Sequence, residues 1–95
     1  MRLDALERRA LLQAISGIPA EGVYLFGSRV DDSRKGGDVD VLIFSGAPAF
    51  ELSRQVAVRF FIECEERIDV VVMNPRALTK EQRAFLATVQ LERIA

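Results

Sequence analysis

Three short apolar runs, separated by spacers of unequal length, constrain the fold of this chain more than any other feature. The runs are "VYLF" (23–26), "DVDVLIF" (38–44) and "IDVVVM" (68–73), and their branched and aromatic residues favour strands. The spacer between the first two runs is too short for a helical crossover, which needs about a dozen residues or more. The first two strands are therefore expected to be antiparallel neighbours.

The spacer between the second and third runs is long enough to hold a helix. A helical crossover lets the third strand run parallel to the second through a right-handed connection. The resulting order, α-β-turn-β-α-β-α, predicts an α/β (α+β) fold in which helices pack on a small mixed three-stranded sheet. Helical spacing and capping signals place the helices at residues 4–16, 49–67 and about 80–92, with caps at Asp4 and Glu7, Pro48, and Thr79 and Gln82. The apolar residues of the second helix form two stripes, one of Leu52, Val56 and Phe60 and another of Phe50, Ala57 and Phe61.

The composition is that of one ordinary globular domain spanning residues 1–95. Apolar residues make up 49% of the chain, charged residues 28%, and the net charge is −1. There is no basic block and no membrane-length apolar run, which argues against direct nucleic-acid binding and against a membrane protein. The single cysteine fits a reducing, cytoplasmic compartment. Because the chain has no histidine, any metal site must be built from oxygen ligands, which suits Mg²⁺ or Mn²⁺.

Acidic residues open two of the three predicted strands. Asp38 and Asp40 point to the same face because side chains alternate along a strand. Asp69 opens the parallel third strand, so it is expected at the same edge of the sheet. The turn formed by Gly27 and Ser28 ends the first strand, and antiparallel pairing brings it beside the aspartates. Three carboxylates and a glycine turn are thus predicted to converge at one corner.

Such a corner suits phosphoryl transfer. Two divalent cations about 3.5–4 Å apart can stabilise the attacking and leaving oxygens of an in-line displacement. Asp38 and Asp40 would hold the two ions, and Asp69 would hold the metal nearest the attacking hydroxyl or take its proton. Gly27 and Ser28 would bind phosphate through close backbone approach and a hydroxyl donor. Arg29 either balances phosphate charge or is a solvated surface residue.

The stretch "GSRVDDSRKGGDVDVLI" resembles the signature of the DNA polymerase β-type nucleotidyltransferase superfamily. That signature is a Gly-Ser pair, about ten residues, an Asp-x-Asp at a strand start, and a third acid on a later strand, here Asp69. The resemblance covers roughly residues 20–75, and the short length is similar to the minimal nucleotidyltransferases, or MntA-like antitoxins. It implies Mg²⁺, usually two ions, with ATP as substrate.

The resemblance also implies a partner. MntA-like proteins act with a HEPN-domain toxin, transferring AMP from ATP to a tyrosine hydroxyl of that toxin. Larger relatives carry a helical acceptor domain that this chain lacks, so the acceptor surface is expected from a partner or from a second copy, in a hetero-oligomer or homodimer. Two alternatives stay open. The chain could be a non-catalytic antitoxin that neutralises the toxin by binding, or a nucleotidyltransferase acting on a small molecule or RNA.

Overall fold

The computed structural model describes residues 3–30 and 38–95, which form three α-helices and four strands. The predicted element order is confirmed as far as the last helix. In none of the described helices is there an apolar stretch of membrane-spanning length. The elements are α1 (Ala5–Ala14), β1 (Gly22–Phe26), a 3₁₀ turn (Gly27–Arg29), β2 (Val39–Phe44), α2 (Ala49–Cys64), β3 (Ile68–Met73), α3 (Lys80–Thr88) and β4 (Glu92–Arg93).

The sheet is mixed and has the strand order β3-β2-β1-β4 in the described part of the chain. β1 and β2 pair antiparallel, and β2 and β3 pair parallel, as the spacer lengths predict. The sheet has four strands, however, where the sequence analysis expects three. The last helix ends at Thr88, not near residue 92, and the chain then returns to pair with β1.

The fourth strand is only two residues long and is held mainly by contacts with β1, which is far away in the sequence. Tyr24 pairs with Arg93, the Ile94 amide donates to the Val23 carbonyl over 2.8 Å, and the Arg93 guanidinium lies 5.5 Å from the centre of the Tyr24 ring. The sequence of a two-residue strand does not indicate any of these contacts. The predicted helix over 49–67 likewise ends early, at Cys64, because Glu65 takes a left-handed conformation with φ 55°.

One face of the sheet forms the core. The odd-numbered residues of β2, together with residues of β1, pack against one stripe of α1 and one stripe of α2. This stripe of α2 is one that the sequence predicts as apolar. Burial of these side chains away from water is the main force that holds the layers together. The fully buried members of this core are Leu11, Ala14, Leu25, Val41, Ile43, Val56 and Phe60, all 0% exposed.

The opposite face of the sheet carries the even-numbered residues of β2, among them Asp40 and the buried Leu42. Phe26 lies beside Asp40 in the antiparallel register and packs edge-on against Phe85 of α3, with ring centres 5.4 Å apart. Helix α3 therefore contacts this second face beside Asp40. The acidic corner is thereby separated from the hydrophobic core by the thickness of the sheet.

Candidate active site

The strand register places two of the predicted acids side by side. Asp40 on β2 pairs with Asp69 on β3 in the parallel ladder, so both side chains leave the same face of the sheet. Asp38 lies just before β2 and is exposed. Asp40 itself is half-buried, whereas Asp69 is exposed and accessible to an incoming molecule. The structure thus brings these carboxylates together at the edge that the sequence analysis predicts.

The pKa of Asp40 depends on burial and on the two neighbouring acids. Burial raises the pKa of Asp40, and the charge of Asp69, a hydrogen bond with that carboxyl and the charge of Asp38 raise it further. Two carboxyls can share a hydrogen bond only when one of them carries a proton. A bound cation would replace that proton and remove the repulsion.

Gly27 lies directly against the Asp40 carboxylate. Its φ is +74°, in the left-handed region that glycine adopts without steric cost. A Cβ at this position would collide with the Oδ2 atom of Asp40, so only a glycine lets the turn approach the carboxylate this closely. Ser28 follows in the same 3₁₀ turn, but its side chain lies outside the described part of the structure. The phosphate contacts of Gly27 and Ser28 stay predictions.

Arg29 ends the turn and is held by a partner that the sequence analysis does not predict. Its two terminal nitrogens donate to the two carboxylate oxygens of Glu7 on α1 over 2.8 and 2.9 Å. The two side chains are 12% and 4% exposed, so Arg29 is not a solvated surface residue. The hydrogen bonds that Arg29 donates to Glu7 raise the pKa of Arg29. The geometry links the turn to α1, and a phosphate contact by Arg29 stays a prediction.

Glu7 is ionised in a buried position because several donors converge on it. Burial alone raises the pKa of a carboxyl, but hydrogen bonds from Arg29 and from the Asp4 backbone outweigh burial and leave the pKa of Glu7 lowered. Glu7 also completes the predicted helix cap, since its amide donates to Asp4 over 2.7 Å. A signal for its burial was available in the sequence, because Glu7 falls at helical spacing on the apolar stripe shared by Leu3, Ala10 and Ala14.

A cavity of about 540 Å³ opens beside the acids. Asp38 and Asp69 lie at its margin, and exposed apolar side chains of α2 form one wall. Of the predicted second apolar stripe of α2, Ala57 and Phe61 line the cavity, whereas Phe50 lies outside it. The lining residues are Asp38, Arg54, Ala57, Val58, Phe61, Ile62, Glu66, Arg67, Ile68 and Asp69.

The donor set at the corner fits a hard cation. Within residues 3–30 and 38–95, no group of three or more His, Cys, Asp or Glu side chains is positioned to hold a metal ion. Mg²⁺ is usually bound by one or two carboxylates together with substrate phosphates, not by an all-protein cage. Asp40 with Asp69, and Asp38 beside them, offer such a partial oxygen set.

Comparison with known proteins agrees with this geometry. The family model described as a nucleotidyltransferase domain matches residues 8–92, which is most of the chain and includes the Gly27–Arg29 turn, Asp38, Asp40 and Asp69. No curated protein matches the chain significantly. The match supports nucleotidyl transfer as the general activity, without specifying the acceptor. On this evidence the chain belongs to the family of nucleotidyltransferase domains.

Proposed function

We propose that the chain is a cytoplasmic, Mg²⁺-dependent adenylyltransferase that transfers AMP from ATP to a tyrosine hydroxyl of a HEPN-domain toxin, and so acts as the antitoxin of that pair. The observation that carries the proposal is the pairing of Asp40 with Asp69 on adjacent parallel strands, against the Gly27 turn. Membership of the nucleotidyltransferase family supports the reaction class. The MntA-like resemblance described above suggests the acceptor.

In this proposal each site residue has a defined role. Asp38 and Asp40 would hold the divalent ions, with Mn²⁺ able to replace Mg²⁺, and Asp69 would complete the site on the acceptor side. When bound, the ions would neutralise phosphate charge and stabilise the developing charge of the displacement. The Gly27–Ser28 turn would direct backbone amides and a hydroxyl at the phosphates of ATP.

The chemical step is an in-line displacement at the α-phosphorus. The tyrosine oxygen forms a bond to this phosphorus, the bond to the bridging oxygen breaks, and pyrophosphate leaves. The proton of the tyrosine hydroxyl passes to Asp69, whose exposed carboxylate lies on the open side of the site. Arg29 keeps the turn in place through its ion pair with Glu7.

The test uses ATP labelled at the α-phosphate, Mg²⁺ and the purified protein encoded by the neighbouring reading frame. We expect label on that protein with the wild type, and a loss of about 1,000-fold or more with the Asp38→Ala/Asp40→Ala double variant, since metal-ion catalysis contributes several kcal/mol. The matched control is Glu51→Ala, which removes an exposed carboxylate from the first turn of α2. Full labelling by the folded double variant would contradict the proposal.

A second candidate has an observation in its favour. Helix α2 exposes Phe61 by 52% and Ile62 by 71% along one cavity, and a contiguous exposed apolar patch is typical of a protein-binding surface. A non-catalytic antitoxin would use such a surface to mask its partner. It would form a stable complex that silences the partner, with no label in either the wild-type or the double-variant reaction.

A further inference from the structure

The outer edge of β3 has backbone groups available for pairing. In parallel strands each residue directs its N–H and C=O to the same neighbour, and successive residues alternate sides. The Ser45 amide, just after β2, donates to the Met73 carbonyl over 2.9 Å, so the backbone groups of Met73 point toward β2. Because the direction alternates, the backbone groups of Asp69 also point toward β2. Ile68 and Val70 therefore direct their backbone groups outward, and no described residue forms a backbone hydrogen bond with them.

The apolar wall of α2 faces this edge across the cavity. Val58, Phe61 and Ile62 are 48%, 52% and 71% exposed, although they share a helix with the fully buried Phe60. They line the same 540 Å³ space as Ile68 of β3. A groove with a strand edge on one side and an apolar helix on the other is a geometry that binds extended peptides by strand addition.

Charged groups mark the two ends of this groove. Asp38 and Asp69 lie at the end where β3 begins, which is the site of the proposed transfer, and Glu66 and Arg67 line the cavity at the same end. Arg54 lies about two helical turns before Phe61, or about 10 Å along α2. Because α2 connects two parallel strands, it runs opposite to β3, and Arg54 lies toward the far end. Arg54 forms no ion pair within the described residues.

We propose that an extended segment of the acceptor protein binds in this groove as a fifth strand on β3, and that this docking brings its hydroxyl to Asp69. The inference rests on the proposed function and specifies the acceptor for it. The segment carries apolar side chains against α2 and, toward the end of the groove away from the hydroxyl, an acidic residue paired with Arg54. Its backbone forms hydrogen bonds with the backbone of Ile68 and Val70, which provides affinity independent of its side chains.

The experiment measures KM for the neighbouring-frame protein, KM for ATP and kcat in the labelling reaction. Ile62→Asp places a charge in the apolar wall, and we expect it to raise the acceptor KM about 10-fold or more while leaving the ATP KM unchanged. Phe50→Asp is the matched control, because Phe50 is equally exposed on the same helix but lies outside the groove. Arg54→Glu is expected to raise the acceptor KM several-fold through charge repulsion.

Strand addition itself is tested at Val70. Val70→Pro removes an outward N–H that the sheet does not use, and proline is tolerated at such edge positions. Val70→Ala is the control for loss of the valine side chain. We expect the acceptor KM of Val70→Pro to be about 10-fold higher than that of Val70→Ala. Circular dichroism checks that each variant is folded.

The outcomes separate this inference from the proposed function. Labelling with an unchanged acceptor KM in Ile62→Asp and Arg54→Glu would overturn the groove and leave the transferase proposal standing. An equal rise in Phe50→Asp would also overturn it, since binding would then use a broad surface. Equal effects of proline and alanine at Val70 would overturn strand addition. No labelling by the wild type would overturn both proposals.

Discussion

Two carboxylates in this molecule, Glu7 and Asp40, are both withdrawn from water but have opposite electrostatic surroundings. Glu7 receives two hydrogen bonds from Arg29, and its pKa is lowered. The pKa of Asp40 is raised by burial and by two neighbouring acids, Asp69 and Asp38. The first carboxylate is paired with a cation inside the fold, whereas the described neighbours that raise the pKa of the second are themselves acids. The difference separates a charge that is balanced by an ion pair from one that a bound cation would balance.

The strongest test of this contrast removes one negative charge from each region. Glu7→Gln removes the carboxylate charge that forms a two-point ion pair with the largely buried Arg29 guanidinium, and we expect the free energy of unfolding to fall by about 3 kcal/mol. Asp40→Asn removes repulsion among acids, so we expect unchanged stability or a gain of about 1 kcal/mol, with activity lost. Urea unfolding of both variants measures the difference.

An exposed ion pair supplies the control for this comparison. Glu21 pairs with Arg76 over 2.8 Å, with side chains 48% and 67% exposed. Glu21→Gln is expected to change stability by less than about 1 kcal/mol, because solvent screens the pair. If Glu7→Gln were no more harmful than Glu21→Gln, or if Asp40→Asn destabilised the fold as much as Glu7→Gln, the contrast between the two regions would be wrong.

The turn that joins the two regions is tested by a pair of glycines. Gly27 and Gly17 both have positive φ, +74° and +78°, but a Cβ would collide with Asp40 only at Gly27. Gly17→Ala is expected to cost about 1–2 kcal/mol from φ alone. Gly27→Ala is expected to cost more and to reduce transfer, because it displaces the Asp40 carboxylate. Equal stability losses, with activity retained in both variants, would show that the close approach has no role.

The smallest expected effect is on acid stability. Because the pKa of Glu7 is lowered in the folded state, the unfolded chain binds its proton more tightly. Its contribution is therefore complete above the ordinary value of 4.5 and is lost as pH falls through the folded-state pKa. Urea midpoints measured from pH 6 downward should fall more steeply in the wild type than in Glu7→Gln. Parallel profiles would contradict this role of Glu7 in acid stability.

Local patterns are sufficient to predict most of the fold. The strand pairing directions follow from spacer length, and the caps at Asp4 and Thr79 are confirmed because each depends on residues three positions apart. The fourth strand could not be predicted, since it is held by contacts between distant parts of the chain. The early end of α2 depends on one left-handed residue, Glu65, for which the sequence carries no glycine signal.

The candidate site divides in the same way. The placement of Asp40 beside Asp69 follows from strand polarity and alternation alone, which are short-range rules. The partner of Arg29 could not be predicted, because the pairing joins residues 22 positions apart on two elements whose packing the sequence does not specify. The groove beside Asp69 could not be predicted either. Two stripes of α2 are apolar, and the sequence does not say which of them packs in the core and which lines the groove.

The docking of β4 on β1 has a consequence for the order of folding. Tyr24 and Arg93 contact each other although they are 69 positions apart, so this pairing closes a long loop at a high entropic cost. The β1–β2 hairpin and the β2-α2-β3 unit close shorter loops and are expected to form earlier. Every residue of the acidic corner belongs to these units. The chain should therefore assemble its charged corner first and close its sheet last.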